Sequence, residues 1–153
     1  MTSPVFSPLV LPCGATLPNR LAKAAMEENM ADVGQVPSPT LLRLYKNWAE
    51  DETGLLITGN VMVDGRAMTG PGGVVLDKHS EIAPFRAWAN AAKHNNTQVW
   101  MQLNHPGRQV YAAMGGDVLS PSDVAINLGK HSHLFGKPRA MTQQDIEQLI
   151  QRF

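Results

Sequence analysis

The side chains best placed to do chemistry in this sequence lie in one short run, Gln102-Leu103-Asn104-His105-Pro106-Gly107-Arg108. The run follows Val99-Trp100-Met101, whose apolar character reads as a buried strand. A side-chain amide at the tip of a strand can donate and accept at once, so Gln102 is a candidate for binding the polar edge of a ligand. Its competing role is to satisfy buried backbone groups. His105 and Arg108 can wall the same ligand or touch a substrate. A loop-organising pair that bonds backbone carbonyls is the simpler account, because a long loop needs internal hydrogen bonds.

Two other clusters carry less chemistry. His131-Ser132-His133 offers two imidazoles at i, i+2, whereas zinc takes three or four ligands, and Cys13 lies far off in the chain. No metal site is expected. Gly70-Pro71-Gly72-Gly73 lacks the Lys-Ser/Thr of a P-loop and any Gly-x-Gly-x-x-Gly spacing, so it reads as a turn.

The elements that must position these residues are short and separated by Pro- and Gly-rich loops. Leu9–Leu11 against Thr16–Leu17 predicts a small hairpin. Residues 21–26 form a candidate first core strand, although its alanines are poor strand formers. Ser38-Pro39 opens a helix whose Leu41, Leu44, Tyr45 and Trp48 recur at i, i+3, i+4, i+7 and belong to the core. That helix should end before Gly54. Leu55-Leu56-Ile57-Thr58 is apolar enough for a strand buried on both faces. Val74-Val75-Leu76 is a brief strand. Ser80 is expected to cap a second helix with Ile82, Phe85, Ala89 and Ala92 on its apolar face, stopped by Asn95-Asn96 in the left-handed region.

Residues 99–103 are the third core strand. Period two puts Gln98, Trp100 and Gln102 on one face and Val99, Met101 and Leu103 on the other. If the second set packs on helices, Gln102 points inward. A long excursion runs from Asn104 to Ala140, and loops of that size are usually functional. Thr142 and Asp145 have capping-box spacing and open a third helix through Ile146, Leu149 and Ile150.

Strand–helix alternation argues for a parallel sheet. Three β-α units do not close a (β/α)8 barrel, which needs eight strands and about 250 residues. The alternatives are a small open α/β sheet or the front part of a larger barrel. Either leaves open edges and an uncovered face, which predicts self-association.

Composition narrows the partners. The 153 residues carry 13 basic and 13 acidic side chains, so net charge is zero and no basic face is available for nucleic acid. One cysteine excludes a disulfide framework and points to a reducing compartment. Met1-Thr2-Ser3-Pro4 has no signal-peptide character, and no apolar run approaches the ~20 residues of a membrane helix. A cytoplasmic protein without a membrane partner is expected.

The Gln102–Arg108 run resembles the Gln-Leu-x-His-x-Gly-Arg signature of the old yellow enzyme family, flavin-dependent NAD(P)H oxidoreductases built on a TIM barrel. Five further pieces agree in order and spacing. Leu17-Pro18-Asn19-Arg20 resembles the family's Leu-x-Asn-Arg before the first strand. Ala24-Ala25-Met26-Glu27 stands where relatives have Ala-Pro-Met/Leu followed by Thr or Cys, and Thr58-Gly59-Asn60-Val61 matches the end of the second strand. Ser120-Pro121-Ser122 and Pro138-Arg139-Ala140-Met141-Thr142 resemble the family's Ala-Pro-Ser and Pro-Arg-x-Met/Leu-Thr.

The resemblance implies an α/β fold, the N-terminal portion of a (β/α)8 TIM barrel, with residues 1–153 forming a partial FMN-binding domain cut before the later strands. In such barrels ligands sit at the C-terminal ends of the strands. Carried over by position, the FMN-binding residues are Ala24, Ala25, Met26, Glu27, Gly59 and Gln102. The small side chains of Ala25 and Gly59 would let a flat ring approach the backbone. The Gln102 amide suits the C=O/N–H edge of a flavin pyrimidine ring.

Two positions depart from the pattern. Glu27 replaces Thr or Cys beside the flavin, where a carboxylate would oppose the negative charge gained on reduction. It is expected to be partly protonated by burial or turned away from the ring, or else to be a solvated loop residue. Asn29 replaces a Tyr that contacts substrate in many relatives. The family's substrate-anchoring His pair, its flavin-binding Arg and its phosphate loops have no match here, so no catalytic residue is assigned. The implied parent activity is transfer of hydride from NAD(P)H through FMN to an activated alkene, a small-molecule substrate. This chain alone is expected to be inactive. The alternative is a non-catalytic, self-associating α/β fragment that binds no flavin.

Overall fold

The computed structural model describes residues 3–153. Helix α1, Pro39–Glu50, begins where the sequence predicts. The Ser38 hydroxyl accepts a hydrogen bond from the Leu41 N–H at 3.1 Å, and Pro39 occupies the first turn, where its missing N–H costs nothing. The helix buries Leu41, Tyr45 and Ala49 fully, with Trp48 packed beside them.

Helix α2, Ile82–Ala92, differs from expectation at its start and on its face. Ser80 does not cap it. The Ser80 hydroxyl closes the preceding turn instead, accepting from the Asp77 N–H at 2.9 Å and donating to the Val75 carbonyl at 3.1 Å. The cap position is Glu81, which makes no side-chain cap bond. Phe85, Trp88 and Ala92 form the buried face, while Ile82 stays 54% exposed. The chain leaves through Asn95 and Asn96 at φ 51° and 62°, the expected left-handed stop.

The strands are β1 (Leu9–Val10), β2 (Thr16–Leu17), β3 (Ala22–Lys23), β4 (Leu55–Met62), β5 (Val74–Val75) and β6 (Gln98–Asn104). The first two make the antiparallel hairpin. The other four form one parallel sheet centred on β4. β3 lies along its first two residues and β5 along its last two, and β6 runs along the other side.

Two strand lengths depart from the sequence reading. The first core strand holds only Ala22 and Lys23 in its ladder. Beyond them the chain bends across β4, so that a Cβ placed on Gly59 would lie 2.3 Å from the Met26 carbonyl oxygen. β4 itself continues four residues past Thr58, because β5 and β6 both pair with the extension. Between Ile57 and Asn60 the β4–β6 register slips by one residue, a β-bulge. There the Thr58 hydroxyl accepts the Gln102 N–H at 2.9 Å.

Helices α1 and α2 cover one face of this sheet. Leu56, Val61 and Val74 join Leu41, Tyr45, Phe85 and Trp88 in one core cluster. Each such side chain contributes about 1.5–3 kcal/mol on burial. The opposite face is bare: Trp100 is 48% exposed and Met26 is 59% exposed.

The excursion after β6 is built from 3-10 turns and one short parallel pair, β7 (Leu119–Ser120) with β8 (Arg139–Ala140). It ends in helix α3, Gln143–Ile150, which opens with the expected capping box: Asp145 N–H to Thr142 Oγ1 at 3.2 Å and Thr142 N–H to Asp145 Oδ2 at 2.8 Å. Of its apolar residues, Ile146 and Ile150 are exposed and Leu149 is half-buried. A polar tie holds its end instead, Arg152 to Asp64 at 3.0 Å. No described helix is long and apolar enough to cross a membrane.

Candidate functional site

The C-terminal ends of the parallel strands bring the expected site residues to one level. Met26 and Glu27 lie against Gly59, and Asn60 pairs in register with Gln102. Parallel partners point to the same side, so the register places Ala22, Ile57 and Trp100 on the uncovered face, with Lys23, Leu56 and Val99 toward the helices. Gln102 shares the Trp100 face, as its spacing predicts.

The Gln102 amide nitrogen donates to Asn60 Oδ1 at 2.6 Å, and the side chain is exposed. It is therefore not spent on buried backbone groups. The bond to Asn60 fixes the plane of the amide and leaves its carbonyl oxygen and second N–H for a ligand. Ala24 and Met26 are exposed and Ala25 is half-buried beside them.

Gly59 works differently from the expectation of close ring approach. The space of its missing side chain is taken by the protein itself. A Cβ there would meet the Met26 carbonyl oxygen at 2.3 Å, Glu28 Oε2 at 2.4 Å and Glu27 Cα at 2.9 Å. Glycine at 59 thus lets the 26–28 segment cross β4, and it acts on a ligand only through the segment it seats.

Glu27 is exposed rather than buried. Its carboxylate accepts a hydrogen bond from the Thr69 hydroxyl. Its neighbour Glu28, which sequence reading passed over, has the opposite surroundings. Glu28 Oε1 receives the Tyr45 hydroxyl at 2.6 Å, the Lys23 ammonium at 3.2 Å and the Gly59 N–H at 3.3 Å. The Lys23 and Glu28 side chains are only 9% and 11% exposed. Lys23 also donates to the Ile57 carbonyl at 3.0 Å and lies over the Trp48 ring at 4.9 Å. Burial, reinforced by the Glu28 carboxylate, pushes the Tyr45 hydroxyl far above the ordinary phenol range. The sequence signal for this cluster was a Lys and a Glu bracketing a strand end, with a Tyr inside an apolar helical stripe.

His105 and Arg108 organise the excursion. The His105 Nδ1 accepts the Gly107 N–H at 3.3 Å, and Arg108 donates to the Val124 carbonyl at 3.4 Å. Burial lowers the His105 pKa, with Asp64 opposing and Arg152 assisting. Burial works to raise the Asp64 carboxyl, but the Arg66 and Arg152 guanidiniums outweigh it and hold it below the usual carboxylate range. His131 and His133 are exposed in the turn Gly129–Leu134, and among the described residues no three potential metal ligands gather.

Beside Glu27 a cavity of about 590 Å³ opens between Asn29, Thr69, Gly72 and Tyr111. Together with Gln102 it gives the strand ends an exposed amide, an exposed carboxylate and a bare apolar floor. That combination can hold a flat, partly polar ring and a second small molecule beside it.

The sequence profile of the NADH:flavin oxidoreductase / NADH oxidase family matches residues 4–153. The chain is 37% identical over 162 residues to the NADH-dependent flavin oxidoreductase iliE of Neonectria sp., covering 95% of this chain and 21% of that protein. It is 32% identical to the NADH-dependent flavin oxidoreductase iliE of Hypocrea jecorina, covering 95% of this chain and 40% of that protein. Among solved structures it superposes on morphinone reductase in complex with tetrahydroNAD with a TM-score of 0.84 at 19% identity, covering 99% of this chain and 44% of that one. On Old Yellow Enzyme from Pichia sp. the TM-score is 0.81 at 20% identity, with 97% and 40% covered. The chain therefore spans less than half the length of these proteins. Its fold is the N-terminal portion of their (β/α)8 barrel, with the sheet open.

Proposed function

The chain belongs to the NADH:flavin oxidoreductase / NADH oxidase family, and from that premise we propose that it supplies one wall of an FMN site in an oxidoreductase acting on activated alkenes with NAD(P)H. The observation that carries this reading is the Gln102 amide, held by Asn60 on the open face at the strand ends. The donor set fits the group. An oriented amide offers one acceptor and one free donor to a pyrimidine edge, and the exposed Trp100 and Met26 offer apolar surface. Ala24, Ala25, Met26 and Glu27 would border the ring from the β3 side, with Gly59 seating them. FMN, when bound, supplies the hydride-transfer chemistry; these residues bind and orient.

No side chain of this chain resembles the family's substrate-anchoring His pair or its phosphate grip. We therefore assign it binding and no catalytic residue, and expect the chain alone not to reduce alkenes. The test is a titration with FMN followed by flavin fluorescence. Saturable quenching is expected in the wild type, and its loss is expected in Gln102→Ala. A flat titration of the wild type would refute flavin binding by this chain.

A second reading, self-association without flavin, is favoured by one observation. Met101 and Leu103 on the edge strand β6 are 39% and 41% exposed, and Ile150 on α3 is 63% exposed. Exposed apolar surface along an unpaired edge is a template for another copy. Sedimentation velocity should show mass rising with concentration; one monomeric species throughout would remove this reading.

A further inference from the structure

Glu27 forms no ion pair among the described residues, and its one hydrogen bond comes from Thr69. Thr69 engages one carboxylate oxygen, Oε1, and the other is left for a partner. The carboxylate opens onto the cavity of about 590 Å³, whose other lining residues carry no formal charge at neutral pH. That volume suits a small molecule. A larger hollow, about 870 Å³, is lined by Asp64, Arg66 and Arg152, where both guanidiniums already pair with the one carboxylate.

The cavity wall is fixed by backbone. The Ala31 N–H donates to the Gly72 carbonyl at 2.9 Å. Asn29 holds φ 54° and Gly72 holds φ 78°, and a Cβ on Gly72 would lie 2.5 Å from the Asn29 carbonyl oxygen. Only glycine accepts both that conformation and that approach. On the far side the Tyr111 N–H donates to the Met68 carbonyl at 2.8 Å, which ties Tyr111 to the loop that carries Thr69. The Gly70–Gly73 turn, with no phosphate chemistry of its own, is thus one wall of a pocket whose single charge is negative.

We propose that this pocket selects acceptor substrates bearing a cationic or N–H-donating group, an ammonium or amidinium, with Glu27 as the recognising carboxylate and Thr69 as the residue that holds it in place. The inference rests on the flavin-oxidoreductase reading for the identity of the acceptor. Its physical basis is local. A charged N–H donor bonds a carboxylate about twice as strongly as a neutral one, and a second carboxylate is repelled. The departure from Thr or Cys at position 27 then becomes a change in substrate charge preference.

Three probes of one shape test it on the purified chain at low ionic strength: benzamidinium, benzamide and benzoate, followed by ligand-observed NMR titration. Benzamidinium is expected to bind about tenfold more tightly than benzamide, the step from a neutral to a charge-assisted pair, with benzoate weakest. Glu27→Gln should bring benzamidinium to the benzamide level, and Thr69→Val should weaken it less. Circular dichroism checks that both variants stay folded, Glu27 being exposed and Thr69 half-buried. Equal binding of benzamidinium and benzamide, unchanged binding in Glu27→Gln, or no binding of any probe would overturn the proposal. FMN titration of the same samples separates the two readings. Flavin binding without cation preference removes the pocket alone; cation preference without flavin binding removes the flavin site and leaves a cation pocket.

Discussion

On the face covered by α1 and α2, Leu56 and Val61 are fully buried, and even the charges are enclosed: Glu28 is bonded by Tyr45, Lys23 and the Gly59 N–H. On the opposite face Trp100 and Met26 stand open, and among the described residues the Gln102 side chain bonds only Asn60 and the Glu27 side chain only Thr69. Two adjacent glutamates thus fall on different sides of one boundary. The covered side uses its polar groups to fix the chain path over the end of β4, and the open side keeps its polar groups free for something else. A polar residue at a strand end therefore reports function by the partners it lacks, more than by its type.

The comparison breaks most readily at Glu28. Glu28→Ala leaves the buried Lys23 ammonium, the Tyr45 hydroxyl and the Gly59 N–H without their shared acceptor. Removing one partner of a buried ion pair costs about 3–5 kcal/mol, and the remaining Lys23 bonds to carbonyls and Trp48 place this case near about 3 kcal/mol. Urea denaturation should show that loss, and a change below about 0.5 kcal/mol would mean the cluster is incidental.

His105 gives a smaller, pH-dependent effect. Burial sets its folded pKa below the ordinary 6.5, so the folded state prefers the neutral ring. Its contribution is complete above 6.5 and is lost as pH falls through the lower folded value. Asp64, also depressed, adds a second acid loss only below its ordinary 3.8. His105→Asn should flatten the stability profile on the acid side of 6.5 and leave the low-pH limb intact; an unchanged profile would count against burial as the cause. Smallest of all is the stability change in Gln102→Ala, expected within about 0.5 kcal/mol for an exposed side chain even as flavin quenching disappears. If Gln102→Ala unfolds the chain and Glu28→Ala does not, the assignment of the two faces is reversed.

What the sequence made legible was local. Ser38-Pro39, Asn95-Asn96 and the Thr142/Asp145 box act within one turn of the chain, and each appears where its spacing puts it. Gln102's face followed from period two. Three features were missed, one to a local competition and two because their partners are distant in sequence. Ser80 had two available roles, and the Asp77 turn competed successfully for its hydroxyl. Trp88, absent from the expected stripe of α2, is buried because it meets the Tyr45 ring edge-on at 5.0 Å. Lys23, Glu28 and Tyr45 lie up to 22 residues apart, and no periodicity links them. The first strand was overestimated because its ladder stops where the chain turns to cross Gly59.

The bulge in β4 has a consequence for how this segment can be inherited. Thr58 and Gly59 together face the single residue Met101, so β4 carries one residue more than its partner. The extra residue frees the Gly59 N–H for Glu28, and the Thr58 hydroxyl takes the Gln102 N–H. A lineage that shed it would at once lose the use for an acid at 28 and one tether on the strand that carries Gln102. Positions 28, 58, 59 and 102 should then travel as a block. A chimera that exchanges β4 alone with a bulge-free relative should be a poorer protein than either parent, and one that exchanges all four positions together should recover.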